Sequence, residues 1–153
     1  MSLILRSSLQ GRFSLIHSTD SALQPRPDDD AAQVEYDQAL KVARETGKWD
    51  ALLKPGDAPT IFHCELPTDR RKLHDLFTVA AQAGHLSSAM ALVFRAAVKS
   101  IDNLPLKLAW VAENGLDLLD VDIIAQLDAI SPSIVNELGG VIWQRMVAIP
   151  GKS

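Results

Sequence analysis

The sequence predicts a mainly α fold: a compact helical domain of about five helices, with a short N-terminal β-hairpin or arm and one short strand near residues 60–66. Three observations carry that prediction. Apolar residues recur at three- and four-residue spacing in several segments, those segments are bounded by capping residues, prolines and glycines, and one β-prone run stands between Pro59 and Pro67. Composition permits a real core, since 153 residues with 47% hydrophobic and 22% charged side chains suit one globular domain. A chain of this length buries roughly two thirds of the surface that its unfolded form exposes.

Two domains of unequal character are expected, residues 1–30 as an arm with an acidic linker and residues 31–153 as the helical domain. From Ser2 to Ser18 the runs LILR and RFSLI flank a Gly-containing turn, which reads as a hairpin or an extended arm. Thr19 to Asp30, TDSALQPRPDDD, contains two prolines and three consecutive aspartates and suits a linker. Asp29 or Asp30 can cap the first helix, expected from Ala31 to Thr46 with Ala32, Tyr36, Leu40 and Ala43 on its apolar stripe and Gly47 as its stop. Trp49, Leu52 and Leu53 then form a short connection before the turn at Pro55-Gly56.

Thr60 to Leu66 is short, β-compatible and framed by prolines, so it reads as a strand. Thr68 or Asp69 can cap a second helix carrying Leu73, Leu76, Phe77 and Ala80, with Gly84 as its stop. A third helix follows at once, and Leu86, Met90, Val93, Phe94, Ala97, Val98 and Ile101 give it the broad apolar face of a core helix. Pro105 breaks that pattern, and Leu106 to Ala112 suits either a short helix or a strand ahead of the turn at Asn114-Gly115. Asp120 can cap a helix containing Val121, Ile124 and Leu127, while Ser131-Pro132 starts a last helix running to about Val147. Within it, Gly139-Gly140 costs about 1 kcal/mol per glycine relative to alanine, which points to close helix packing or a local bend.

The chemistry is sparse. A net charge of -4 argues against a large nucleic-acid surface, although a local basic patch stays open. Cys64 is the only cysteine, so no intrachain disulfide forms and a cysteine-based zinc site has one ligand at most. The opening MSLILRSSLQGRF does not read as a signal peptide, and no apolar run approaches the ~20 residues that span a bilayer, so a soluble cytoplasmic protein is expected.

The pair His63-Cys64 invites a thiol-and-base reading. On a strand, however, Phe62, Cys64 and Leu66 face one side while Ile61, His63 and Glu65 face the other, so the two side chains diverge. Cys64 then reads as a small buried hydrophobe. His63, His74 and His85 recur every eleven residues without the short local pairing typical of zinc sites, and they read as surface or boundary residues. Asp117, Asp120 and Asp122 lack the ligand order of a calcium loop, and Asp120 is better explained as a helix cap. No phosphate-binding glycine loop, nucleophile elbow or His-Glu-x-x-His motif occurs. The two helices joined at Gly84 do not make a DNA reader, because SSAMALVFRAAVK is largely apolar, and Arg70-Arg71-Lys72 is a solvated first turn. No catalytic, cofactor-binding or metal-ligating residue is predicted, and neither enzymatic activity nor a cofactor is expected.

Three stretches taken together, KWDALLKPGDAPTIFHCELPTDRRKL, the helices through Ile101, and LLDVDIIAQLDAISPSIVNELGGVIWQRM with its segment Glu137-Leu138-Gly139, resemble small tailed-phage morphogenesis proteins, most closely tail assembly chaperones. The resemblance covers about Trp49 to Met146. It implies a non-enzymatic protein in the cytoplasm of an infected bacterium that binds the tape-measure protein and tail-tube subunits before the tube polymerises. Such proteins carry no catalytic residues. The N-terminal region departs from that layout and would suit a virion structural subunit, a neck, connector or baseplate component, whose arm adds a strand to a neighbour. A host-directed inhibitor or regulator is the third class open to a small, acidic, helix-rich chain.

Overall fold

In a computed structural model describing residues 11–148, the chain is a mixed α/β protein rather than a mainly α one. Five helices are joined by a three-stranded antiparallel sheet and a separate two-stranded hairpin. The elements are β1 (Arg12–Leu15), α1 (Asp30–Thr46), a 3-10 turn (Asp50–Leu52), β2 (Ile61–Glu65), α2 (Arg70–Gln82), α3 (Leu86–Ala97), β3 (Val98–Asp102), β4 (Trp110–Glu113), β5 (Leu116–Leu119), α4 (Val121–Ile130) and α5 (Ser133–Ala148). No helix among the described residues is long and apolar enough to cross a membrane.

Local chemistry sets most boundaries. The Asp29 carboxylate accepts the Ala32 N–H, and Gly47 closes α1 in the left-handed region at φ 75° with its N–H on the Ala43 carbonyl. Asp69 caps α2 by accepting from the Lys72 N–H, and Asp120 caps α4 by accepting from the Asp122 N–H. α5 begins at Ser133, one residue beyond the expected first helical position at Pro132.

The N-terminal reading needs correction. LILR lies outside the described residues, but RFSL of the RFSLI run is one edge strand of the larger sheet, pairing Phe13 with Cys64 and Leu15 with Phe62. Phe13 and Leu15 point into the core beside Phe62 and Cys64, so this part of the expected arm belongs to the fold. The expected linker is also partly internal. Ile16, Ala22 and Leu23 are buried, and Ile16 and Leu23 join Ala43, Trp49 and Leu52 in a second apolar cluster under α1. Composition over TDSALQPRPDDD hid Ala22 and Leu23 among charges.

A second correction concerns the third helix, which stops at Ala97 instead of running to Ile101. β3 pairs Cys64 with Val98 and His63 with Ser100, so Lys99 is an extra, bulged residue. The bulge brings Val98 and Ile101, three apart in sequence, to the same inner face, reproducing the i, i+3 spacing of a helix. Residues Trp110–Glu113 resolve as strand, and Leu116–Leu119, not expected as a strand, forms its partner across a two-residue turn. Asn114 at φ 54° and Gly115 at φ 77° give both turn positions the positive φ of a type I′ hairpin.

The main core lies between the inner face of β1-β2-β3 and helices α2, α3 and α5, with β5 and α4 closing one side. Phe62 and Phe94 meet edge to face at 5.9 Å, and Phe77 stacks on Trp143 at 3.7 Å. α3 and α5 approach so closely that a Cβ built on Gly139 would overlap the Met90 backbone carbonyl, whereas one built on Gly140 meets only the end of the Met90 side chain, its sulfur at 3.8 Å and its methyl at 3.9 Å.

A partly buried polar network links the segment after β1 to α1 and α5. His17, 5% exposed, places Nδ1 2.7 Å from the Thr19 hydroxyl and Nε2 3.0 Å from the Ser133 hydroxyl. Glu137, one turn beyond Ser133, accepts from the Ser18 N–H at 2.8 Å, from the Ser18 hydroxyl and from the Arg44 guanidinium at 3.2 Å.

Gly139→Ala should lower stability by about 1–3 kcal/mol, because backbone cannot move aside as a side chain does. Gly140→Ala should leave stability unchanged or raise it by up to about 1 kcal/mol through helix propensity. Urea denaturation of the two variants beside the parent checks this, and equal effects would remove the close-packing account.

Candidate functional site

The β4–β5 hairpin is buried on one strand and open on the other. Leu116, Leu118 and Leu119 of β5 pack into the core, while all four residues of β4 are exposed. Arg95 of α3 fixes the hairpin from beneath, donating from Nε to the Leu119 carbonyl at 2.6 Å and from Nη2 to Glu113 at 3.0 Å. The hairpin is therefore anchored to the core through β5 and Arg95.

Its hydrogen-bonding register identifies the free groups. Antiparallel pairs alternate, and the Asp120 N–H on the Ala109 carbonyl extends a ladder in which Val111 and Glu113 exchange bonds with β5. Trp110 and Ala112 consequently direct their N–H and C=O groups to the outer edge, where no described strand pairs with them. Trp110 is 41% exposed and Val111 36%. Natural edges are commonly blunted by charge, proline or a bulge, yet LAWVA contains none of these between Lys107 and Glu113. Chemically, this edge can accept a strand through backbone bonds and hold it with apolar side chains.

The residues singled out by sequence fall elsewhere. His63 lies on the outer face of the larger sheet, opposite Ser14 of β1 and diagonal to Asp102 of β3. Its Nδ1 stands 3.1 Å from the Ser14 hydroxyl and its Nε2 2.7 Å from the Asp102 carboxylate. When Nε2 donates to Asp102, Nδ1 accepts the Ser14 proton, a hydroxyl–imidazole–carboxylate order that sequence reading did not reach. The partners are 49 and 39 residues away, and only the β1–β2–β3 register brings them together. His63 and Asp102 side chains are 41% and 52% exposed, so water screens the pair.

Cys64 is on the opposite, inner face, as alternation predicts, and its thiol donates weakly to the Phe62 carbonyl at 3.5 Å. Burial pushes the thiol up to about 12, far from the range of a reactive thiolate. His74 rests beside Trp143 with ring centres 5.1 Å apart, and His85 occupies the N-cap of α3. No group of three or more potential ligands among His, Cys, Asp and Glu is positioned to hold a metal among the described residues. Asp120 serves as a cap, Asp117 faces Ala112 across the hairpin, and Asp122 lies in the first turn of α4.

Cys64 should resist a thiol reagent at pH 8 in the native protein and react fully in denaturant, as followed by Ellman absorbance. Because its folded pKa is raised from 9.0 to about 12, the protonated thiol's contribution to stability is complete below pH 9 and is lost as pH rises from there to about 12. Rapid native labelling at pH 8 would contradict the buried placement. No protein-family model, no curated protein and no solved structure matches this chain.

Proposed function

We propose that this chain is a non-enzymatic protein-binding component of phage tail assembly, a chaperone that holds tape-measure or tail-tube protein before polymerisation. The observation that carries the binding part is the open, apolar edge of β4, mounted on the core by Arg95. An unassembled subunit with an unpaired strand could add to that edge, covering both edges until a stronger partner displaces the chaperone. The resemblance over Trp49 to Met146, a span that contains β4, supplies the identity of the partner. The infected cell's cytoplasm is the corresponding location.

Ala112→Pro tests this directly. It removes an N–H from the open edge and leaves the Val111 and Glu113 ladder to β5 in place. Co-expressed tail-tube or tape-measure protein should co-purify with the parent chain and be retained roughly tenfold less by the variant, an effect equivalent to about 1.4 kcal/mol. Far-UV circular dichroism should remain unchanged. Equal capture by both chains, or capture of neither protein by the parent, would defeat the proposal. Mass spectrometry of purified virions distinguishes the structural-subunit reading, which requires stoichiometric amounts in the particle.

A hydrolytic reading has one observation in its favour, the Ser14–His63–Asp102 alignment. Water-exposed partners are poorly suited to stabilise developing charge, which needs a dry, preorganised site. Hydrolysis of p-nitrophenyl acetate by the parent should match that by Ser14→Ala at pH 7.5. A rate lost on Ser14→Ala and retained in a remote serine variant would establish the hydrolase instead.

A further inference from the structure

Cations from four places in the sequence converge on one cavity of about 760 Å³: Arg12 of β1, Lys48 just beyond α1, Lys99 of β3 and Arg145 of α5. Among the described residues, Glu45 and Glu65 are the acids on its wall, so four positive charges less two negative ones give those lining residues a formal +2. The whole chain carries -4, which makes this a local reversal of sign. The hydroxyl of Ser14 and the ring of His63 line the same space.

The cations differ in how they are held. Arg12 stands 3.8 Å from Glu65 with both side chains well exposed, a pairing too solvated to neutralise either strongly. Lys48 and Lys99 have no carboxylate within ion-pair distance among the described residues. Lys99 is the bulged residue of β3, and bulges re-aim side chains; its ammonium donates one bond, at 3.2 Å, to the Ala96 carbonyl. An ammonium has three donors, so two stay available. Arg145 is anchored over the Phe13 ring at 4.4 Å and donates to the Arg44 carbonyl at 3.3 Å, which fixes the inner wall.

We propose that this cavity is a binding site for a phosphate dianion, either the free ion or the phosphate end of a small phosphomonoester. The volume lies within the roughly 300–1,000 Å³ of small-molecule sites. A phosphomonoester carries about -1.5 to -2 at pH 7 and so matches the local +2, whereas a monocarboxylate neutralises half of it. The exposed Arg12 guanidinium offers paired donors to phosphate oxygens, and Lys48 and Lys99 supply point charges. The site is separate from the β4 edge and does not depend on the chaperone reading.

The test is an amide ¹H–¹⁵N titration at constant low ionic strength with inorganic phosphate, glycerol 3-phosphate and acetate as probes. Saturable shifts confined to the neighbourhood of Ser14, Gly47, His63 and Lys99 are expected with both phosphates, and none with acetate. Tighter binding of glycerol 3-phosphate assigns the site to an ester, and equal binding assigns it to the free ion. Lys99→Gln and Lys48→Gln should each weaken binding about three- to tenfold with spectra otherwise preserved. Lys107→Gln, remote from the cavity, should not. Non-saturating shifts, shifts spread over other exposed cations, equal response to acetate, or an equal loss in Lys107→Gln would overturn the proposal.

Discussion

The absence of a side chain at Gly139 sets the distance between α3 and α5, and the rest of the core is arranged around that distance. Met90 presents its backbone carbonyl at this point, so the two helices meet backbone to backbone instead of through interleaved side chains. With the helices drawn together, Val93, Phe94 and Ala97 on one and Leu138, Ile142 and Met146 on the other are sealed from water. Ridge-and-groove packing at ordinary side-chain separation would leave a gap there, and gaps in a core are costly. The same helix pair supports both sheets: Phe94 meets Phe62 beneath the larger sheet, and Arg95 holds the hairpin.

The two exposed features follow from that scaffold by different routes. The β4 edge is open because β5 alone satisfies the inner side of the hairpin, its leucines filling the core while β4 lies outside it. The cationic cavity forms because β1, β3, the end of α1 and α5 meet there, each contributing a basic side chain at its own boundary. One surface presents unpaired backbone groups, the other unbalanced charge. They suit different kinds of ligand, an extended chain and a compact anion, and neither obstructs the other.

Much of the helical layout was legible because its signals are local. Asp29, Asp69 and Asp120 each have an amide within reach a few residues on, and Gly47 and Gly84 end helices by their own conformational freedom. Cys64 was legible for a similar reason, since alternation along a strand of five residues needs no distant partner. What escaped depends on register. Val98 and Ile101 mimic a helical stripe only because Lys99 bulges out of the ladder, and the four-residue run Leu116–Leu119 shows itself as a strand only through its pairing with β4. The Ser14–His63–Asp102 alignment and the cavity are assembled across three strands and a terminal helix, so no window along the chain contains them.

Glu137 carries a consequence for how the chain comes to its final form in the cell. It receives hydrogen bonds from Ser18 and Arg44, which leave the ribosome more than ninety residues earlier, and it sits on the last described helix. Gly139 is two positions further on. β1 and α1 therefore emerge well before Glu137 and the rest of α5, and must wait for that helix to be made. Synthesis itself thus supplies an interval in which Phe13 of β1 lacks the cover of Arg145 and Ser18 and Arg44 lack their shared acceptor, while the cluster under α1 can already close on Ile16, Leu23, Trp49 and Leu52.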